Sequence, residues 1–305
     1  MLPPPVPDAQ HEAWKAAYRV AELRGARNLH LAGEGVEFLF FTAWRDGACE
    51  GYRVPRTRVY ATANNPGTEA RALQDKEALL ASWALEHRLP AVRIRGLEEH
   101  RGFPVLVCDV IADDGSAVDS EKLGAVLAAL HRAPAPEAFG AGNGHEKLGG
   151  MLAGRMRHRH ASLNAGRDLP PLPDAELLGR MLASGLGPSC LTHLDIRRQN
   201  LRVLQGTPIA LIDWSNALLA PAELELARAG EYSLIRDNGL EFSALWSGYA
   251  LAGGAVDMQS AIWPILQLDA ALMLAVVFDS VAPDPHLHRM FCDRVRLLIG
   301  CLDLE

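Results

Sequence analysis

The chain has 305 residues, 49% of them hydrophobic and 22% charged, which places it among folded globular proteins and excludes a disordered or low-complexity chain. Its formal charge of −7 lacks the basic footprint that binding to a nucleic-acid backbone requires. Five cysteines, at 49, 108, 190, 292 and 301, contain no C-x-x-C pair. A disulfide framework or zinc knuckle is therefore not expected, and a reducing compartment, the cytoplasm, is.

The N-terminal Met1-Leu-Pro-Pro-Pro-Val-Pro-Asp8 has neither the basic nor the apolar region of a signal peptide. Val36–Trp44 is an apolar, aromatic run, followed by a turn at Arg45-Asp46-Gly47 and a second extended segment through Cys49–Val54, which predicts a β-hairpin. Pro66-Gly67-Thr68 is expected to open a helix in which Leu73, Leu80 and Trp83 recur at helical spacing, with Pro90 beyond its end. Phe103–Ile111 reads as a buried strand that runs into a turn at Asp113-Asp114-Gly115. From Ser120 the pattern changes: Leu123–His131 is an amphipathic helix, a second lies near 151–163, and Leu191–Trp214 is a compact β island. From Pro221 onward the chain is almost entirely helical. The apolar stretch 261–278 is interrupted by Pro264, Gln267 and Asp269, so it reads as a buried helix rather than a membrane span. The simplest partition is a β-rich segment over 1–112 and a helical one over 113–305, an α+β protein of two lobes.

The β island carries the chemistry. Leu191-Thr-His-Leu-Asp-Ile-Arg-Arg-Gln-Asn200 contains H-x-D-x-x-x-x-N, and Asp213 follows at the end of an apolar strand. His193, Asp195, Asn200 and Asp213 have the spacing of a kinase catalytic loop and its metal-bridging aspartate. Phosphoryl transfer needs charge neutralisation and in-line positioning more than covalent chemistry. On that reading Asp195 is the base, and Asn200 and Asp213 are hard oxygen ligands for Mg²⁺. Arg197, two residues after Asp195, brings a cation to the transferred phosphate, while His193 anchors the loop by hydrogen bonding.

This stretch resembles the aminoglycoside phosphotransferase family, the small-molecule branch of the protein-kinase-like fold that includes the choline kinases. Ile212-Asp213-Trp214 is similar to the family's I-D-W, and Pro221-Ala-Glu-Leu-Glu-Leu-Ala227 to its P-x-x-x-D-L-A element, with Glu225 at the acidic position. Leu127-Ala-Ala-Leu-His131 is similar to its L-A-x-L-H helix, Gly51-Tyr-Arg-Val-Pro55 to its third strand, and Glu77 to its αC glutamate. Leu194 stands where the family has Gly, and Arg53 where a kinase has Lys; no Lys occurs between positions 16 and 75. The resemblance implies ATP or GTP as donor, held by 1–112 through Arg53, Glu77, Gly33, Gly35 and Val110, with Glu77 fixing Arg53. It also implies a small-molecule hydroxyl acceptor, antibiotic-like and first of all an aminoglycoside. A choline-like compound, sugar, nucleoside antibiotic or macrolide is the alternative, as is a non-catalytic nucleotide-binding regulator; neither nucleic acid nor membrane is an expected partner.

Three further stretches have plainer readings. Arg155-Met-Arg-His-Arg-His160 is expected to be a solvated basic helix face, and Gly140-Ala-Gly-Asn-Gly144 a connector. Glu223, Glu225, Glu231 and Asp237, just beyond the proposed metal ligands, are candidates to face a cationic acceptor.

Overall fold

The structure is a computed structural model that describes residues 8–61, 66–139, 144–164 and 169–302; positions 140–143 of the glycine-rich connector lie outside the described residues. The chain divides into two compact units. The first runs to Gly115 and takes back Arg202–Leu204 and Ile209–Ser215, and the second comprises Ser116–Leu201, Gln205–Pro208 and the chain from Asn216 onward.

In the first unit, α1 (Asp8–Leu23) precedes β1 (Arg27–Glu34), β2 (Phe38–Arg45) and β3 (Ala48–Pro55). A short pair, β4 (Val59–Ala61) and β5 (Pro66–Glu69), leads into α2 (Ala70–Glu86), and β6 (Ile94–His100) and β7 (Phe103–Asp109) complete it. Five strands form an antiparallel sheet in the order β1-β2-β3-β7-β6. The predicted hairpin is β2–β3, closed by Asp46 and Gly47 at φ 51° and 81°, the doubly left-handed backbone of a two-residue turn whose twist matches the flanking strands. Strand alternation then sorts the side chains. Leu39, Phe41, Ala43, Tyr52 and Val54 pack with the alanine-rich face of α1 (Ala13, Ala16, Ala17, Ala21), whose small residues let the helix lie close. Phe38 points the other way, into a cluster with Tyr60, Ala70 and Leu73 at the start of α2. Pro66-Gly67-Thr68 does not open that helix: Gly67, at φ 71°, turns the chain back and Thr68 pairs with Tyr60, so the helix begins only at Ala70.

The second unit holds α3 (Ser120–Arg132), α4 (His145–Asn164), α5 (Ala175–Gly185), β8 (Ser189–Thr192), β11 (Leu218–Pro221), α6 (Ala222–Ser233), α7 (Phe242–Leu251), α8 (Trp263–Val276) and α9 (Pro285–Gly300). A hairpin, β9 (Leu201–Leu204) and β10 (Thr207–Leu211), carries the chain from Asn200 to Asp213. Asp119, Asp174 and Asp284 cap α3, α5 and α9, each carboxylate accepting from first-turn amides that have no helical partner. The segment Trp263–Val281 is long and apolar enough to cross a membrane, yet 56% of it is buried inside the protein, including every residue from Leu268 to Ala275.

Two glycines set the crossing of α3 and α7. A Cβ on Gly124 would lie 2.0 Å from the carbonyl oxygen of Leu245, and one on Gly248 would lie 1.9 Å from that of Glu121. Gly150 and Gly154 on α4 face open space. In an open helix Gly→Ala gains roughly 0.5–1 kcal/mol, so the sign of the effect reports the crossing. Gly124→Ala is expected to cost about 1–3 kcal/mol through overpacking and to lower the thermal midpoint by several degrees. Gly150→Ala is expected to leave it unchanged or raise it, both read by calorimetry.

Candidate active site

In the second unit β8 ends at Thr192, and the chain passes through His193, Leu194 and Asp195 to a single 3-10 turn, Arg198–Asn200. Thr192, His193, Asp195 and Asn200 are all buried. The Asn200 side-chain amide donates to the Asp195 carbonyl at 3.0 Å and to its Oδ2 at 2.7 Å. The Tyr232 hydroxyl donates to Oδ1 at 2.7 Å, and Arg197 Nε lies 3.2 Å from the same oxygen on a side chain that is 41% exposed. Asp195, Asn200 and Arg197 are thus brought together as the spacing predicts.

Leu194 holds the loop in a conformation few non-glycine residues adopt, with φ 61° at the position where the resembled family has glycine. Its peptide is gripped at both ends by one helix. Glu225 Oε1 accepts from the amides of His193 (2.9 Å) and Leu194 (2.6 Å), and Arg228 Nη1 donates to the Leu194 carbonyl at 2.9 Å. Glu225, Arg228 and Tyr232, at i, i+3 and i+7, share one face of α6. Burial works to raise the Glu225 carboxyl, but His131, whose Nε2 lies 2.7 Å from Oε2, together with the loop amides, holds it below the usual carboxylate range.

Arg228 is itself held. Its Nη2 donates to Asp269 of α8 at 3.2 Å, and Asp269 also accepts from Arg155 (2.6 and 3.1 Å) and Arg159 (3.0 Å) of α4. Burial opposes ionisation of this carboxylate, and three guanidiniums reverse the effect, holding it far below the ordinary aspartate range. The basic run on α4 is therefore not a solvated face, as its sequence suggests. Arg155 and Arg159 turn toward Asp269, whose charge offsets the cost of burying the Arg159 guanidinium and part of that of Arg155, and His160 bonds the Pro170 carbonyl. Glu225 and Glu231 do not face an acceptor either: both are buried, the latter bound by Arg294 at 2.7 Å.

In the first unit, strand alternation puts Arg53 on the α2 side of the sheet, its guanidinium 3.5 Å from the centre of the Phe38 ring. Nη2 donates to Asp213 Oδ1 at 2.8 Å and Nη1 to Gln74 Oε1 at 3.0 Å. Glu77 is 3.9 Å from Arg53, but its main partners are the amides of Asp213 (3.1 Å) and Trp214 (2.6 Å). Glu77 thus fixes the turn that carries Asp213, at φ 65°, more than it fixes Arg53. Lys76, the neighbour of Glu77, donates to the Ser215 carbonyl at 2.7 Å, and Ser215 Oγ donates to Asp213 Oδ1 at 2.8 Å. Burial pushes the Lys76 ammonium down to about 8, against the opposing pull of Glu77 and Asp213. Gly33, one residue before the end of β1, lies opposite Phe40, and Gly35 closes the β1–β2 turn through its amide to Phe38 O, where Arg56 clamps it by donating to Gly35 O and Glu34. Neither glycine has a positive φ, and Val110, just past β7, is 37% exposed.

Sequence reasoning missed Gln74, Lys76, Arg228, Tyr232 and Asp269. Tyr232 and Arg228 had a signal in their helical spacing from Glu225; Asp269 had only its presence in an apolar helix.

The model of the phosphotransferase enzyme family matches residues 49–260. No curated protein matches the chain in sequence. Among solved structures, a protein from Haemophilus somnus 129PT classed as a fructosamine-3-kinase aligns with a TM-score of 0.66 at 12% identity, over 98% of this chain and 100% of that one. A macrolide 2'-phosphotransferase type I gives 0.57 at 16% identity over 95% and 98%. The aminoglycoside phosphotransferase APH(4)-Ia gives 0.62 at 13% over 95% and 98%, and a thermostable mutant of it is known in a ternary complex with ADP and hygromycin B. These likenesses show the fold, a kinase-like α+β architecture with an antiparallel sheet at the N-terminal end and helices beyond.

Asp269→Ala leaves three guanidiniums without their counter-charge and is expected to cost about 3–5 kcal/mol of stability. Because the carboxyl titrates lower folded than unfolded, its contribution is complete above about pH 4 and is lost as pH falls through the folded value. The variant should therefore lose most of its stability deficit, relative to the parent, under acid conditions. Glu77→Ala strands two backbone amides at about 1–3 kcal/mol each; Glu77→Gln, which keeps one acceptor oxygen, should lose less. Denaturant titration separates the two.

Proposed function

The chain belongs to the phosphotransferase enzyme family, and on that premise we propose that it transfers the γ-phosphoryl of a nucleoside triphosphate, ATP or GTP, to a hydroxyl of an antibiotic-like small molecule, aminoglycosides being the first class to test. The observation that carries the reading is the Asp195 carboxylate, buried in the loop three residues past the end of β8 and held by Asn200 within H-x-D-x-x-x-x-N. A base fixed in this way can align an acceptor hydroxyl and take its proton. Arg197, half-buried beside it, supplies positive charge for the phosphoryl group.

Magnesium fits the donors the chain offers. Asn200 spends its amide nitrogen on Asp195, which leaves its hard carbonyl oxygen as the ligating atom, and Asp213 offers a carboxylate held by Ser215 and Arg53. Bound there, the ion would neutralise charge on the phosphates. Arg53 is the nucleotide's cation in this reading, and Glu77 acts by holding the backbone of Asp213 and Trp214. The three structural neighbours bear names from three acceptor classes, fructosamine, macrolide and aminoglycoside, and ADP and hygromycin B accompany one of them.

The test is consumption of Mg·ATP and Mg·GTP against a panel of hygromycin B, other aminoglycosides, a macrolide, a fructosamine and choline. Nucleotide binding without acceptor-dependent turnover across the panel would overturn catalysis in favour of a nucleotide-binding regulator. Asp195→Asn is expected to keep nucleotide binding and cut turnover by roughly 10²–10⁴-fold. Asp213→Ala should weaken ATP binding in the presence of Mg²⁺ far more than in its absence, measured by calorimetry.

A further inference from the structure

Tyr232 takes no part in the reaction as assigned above, yet its hydroxyl is committed to Asp195 at 2.7 Å. The phenol is buried on α6, and a buried hydroxyl is costly unless bonded. Burial foremost, and then the negative charge of Asp195, push its ionisation above the ordinary tyrosine value, so the phenol keeps its proton and donates the hydrogen bond to the carboxylate. Asn200 grips the other carboxylate oxygen, also at 2.7 Å. With one donor the carboxylate could still turn about its own axis. Donors on both oxygens, one from the loop and one from a helix, fix its plane.

We propose that Tyr232 is a positioning residue for the base, aiming the Asp195 carboxylate from the same α6 face on which Glu225 and Arg228 seat the Leu194 peptide. The inference rests on the reading of Asp195 as the base. It goes further in assigning orientation of that base to a rigid helix outside the loop. Arg197 does not duplicate this role: its contact with Oδ1 is longer, 3.2 Å, and its side chain is 41% exposed, whereas the Tyr232 phenol is buried on a rigid helix. A phenol that was only a satisfied core group would act independently of Asp195, and this separates the two accounts.

Phosphate release from Mg·ATP, with water as acceptor, is measured for the parent, Tyr232→Phe, Asp195→Asn and the double variant, together with ATP affinity by calorimetry and the thermal midpoint. Tyr232→Phe keeps the ring and its packing; it should lower kcat roughly tenfold, the scale of one hydrogen bond to a charged group. KM for Mg·ATP should stay within about twofold, and the double variant should be no slower than Asp195→Asn alone. Multiplicative losses in the double variant, or a loss carried entirely by KM or by the folded fraction, overturn the positioning role and leave Asp195 as the base. Near-parental kcat in Asp195→Asn overturns the base assignment itself. A crystal structure of Tyr232→Phe gives a readout independent of turnover. The Asp195 carboxylate should be rotated while α6 and Leu194 stay in place, and an unmoved carboxylate overturns the proposal.

Discussion

A single carboxylate, that of Asp269, allows three arginines to enter the interior of the helical unit, and the placement of the His193–Asn200 loop depends on it. Arg228 donates to Asp269 with one nitrogen and to the Leu194 carbonyl with another. The guanidinium is suited to this because it is planar, always charged and presents its donors in a rigid fork; a lysine could not hold both partners at a fixed angle. Arg155 and Arg159 join the same carboxylate from α4. Three elements distant in sequence, α4, α6 and α8, are thereby referenced to one buried point, and the loop is referenced to them.

The strained residue of that loop shows what such anchoring achieves. A left-handed leucine is unfavourable by about 1–2 kcal/mol, and the position persists because its surroundings over-determine it. Its amide, its carbonyl and its fully buried side chain are each held. In the first unit Asp213 has the same backbone sign and the same solution, with Glu77 taking the amides of residues 213 and 214 and Arg53 and Ser215 taking the side chain. Arg53 presents a fork that spans Asp213 and Gln74, while the ammonium of Lys76 sits one residue before Glu77 and holds the Ser215 carbonyl.

Much of this was legible in the sequence where the determinants are local. The β2–β3 hairpin follows from an apolar run, an Asp-Gly turn and a second extended segment. The Asp195–Asn200 contact follows from a five-residue spacing that a tight turn closes. What was not legible is long-range pairing. Arg53 reaches Asp213 across 160 positions, Arg155 reaches Asp269 across 114, and Tyr232 reaches Asp195 across 37. No periodicity relates such partners, and a charged run on a helix looks the same whether its counter-charge is solvent or a buried carboxylate. The same ambiguity misplaced Glu225 and Glu231, whose partners, the loop amides and Arg294, come from elsewhere in the chain.

Seating the loop on α6 also governs how the protein can come apart. Surface loops ordinarily open with little cost, since their amides exchange with water independently of the core. Here the amides of His193 and Leu194 terminate on a carboxylate inside the helical unit, and the Leu194 carbonyl terminates on an arginine held in that same interior. Local fraying of the loop would strip Glu225 of two amides and Arg228 of a carbonyl, leaving them with His131 and Asp269, so opening costs more here than in a loop bonded to water. The loop is therefore expected to open with the helical core rather than ahead of it, and the amide protons of His193 and Leu194 to exchange more slowly than those of an ordinary surface loop.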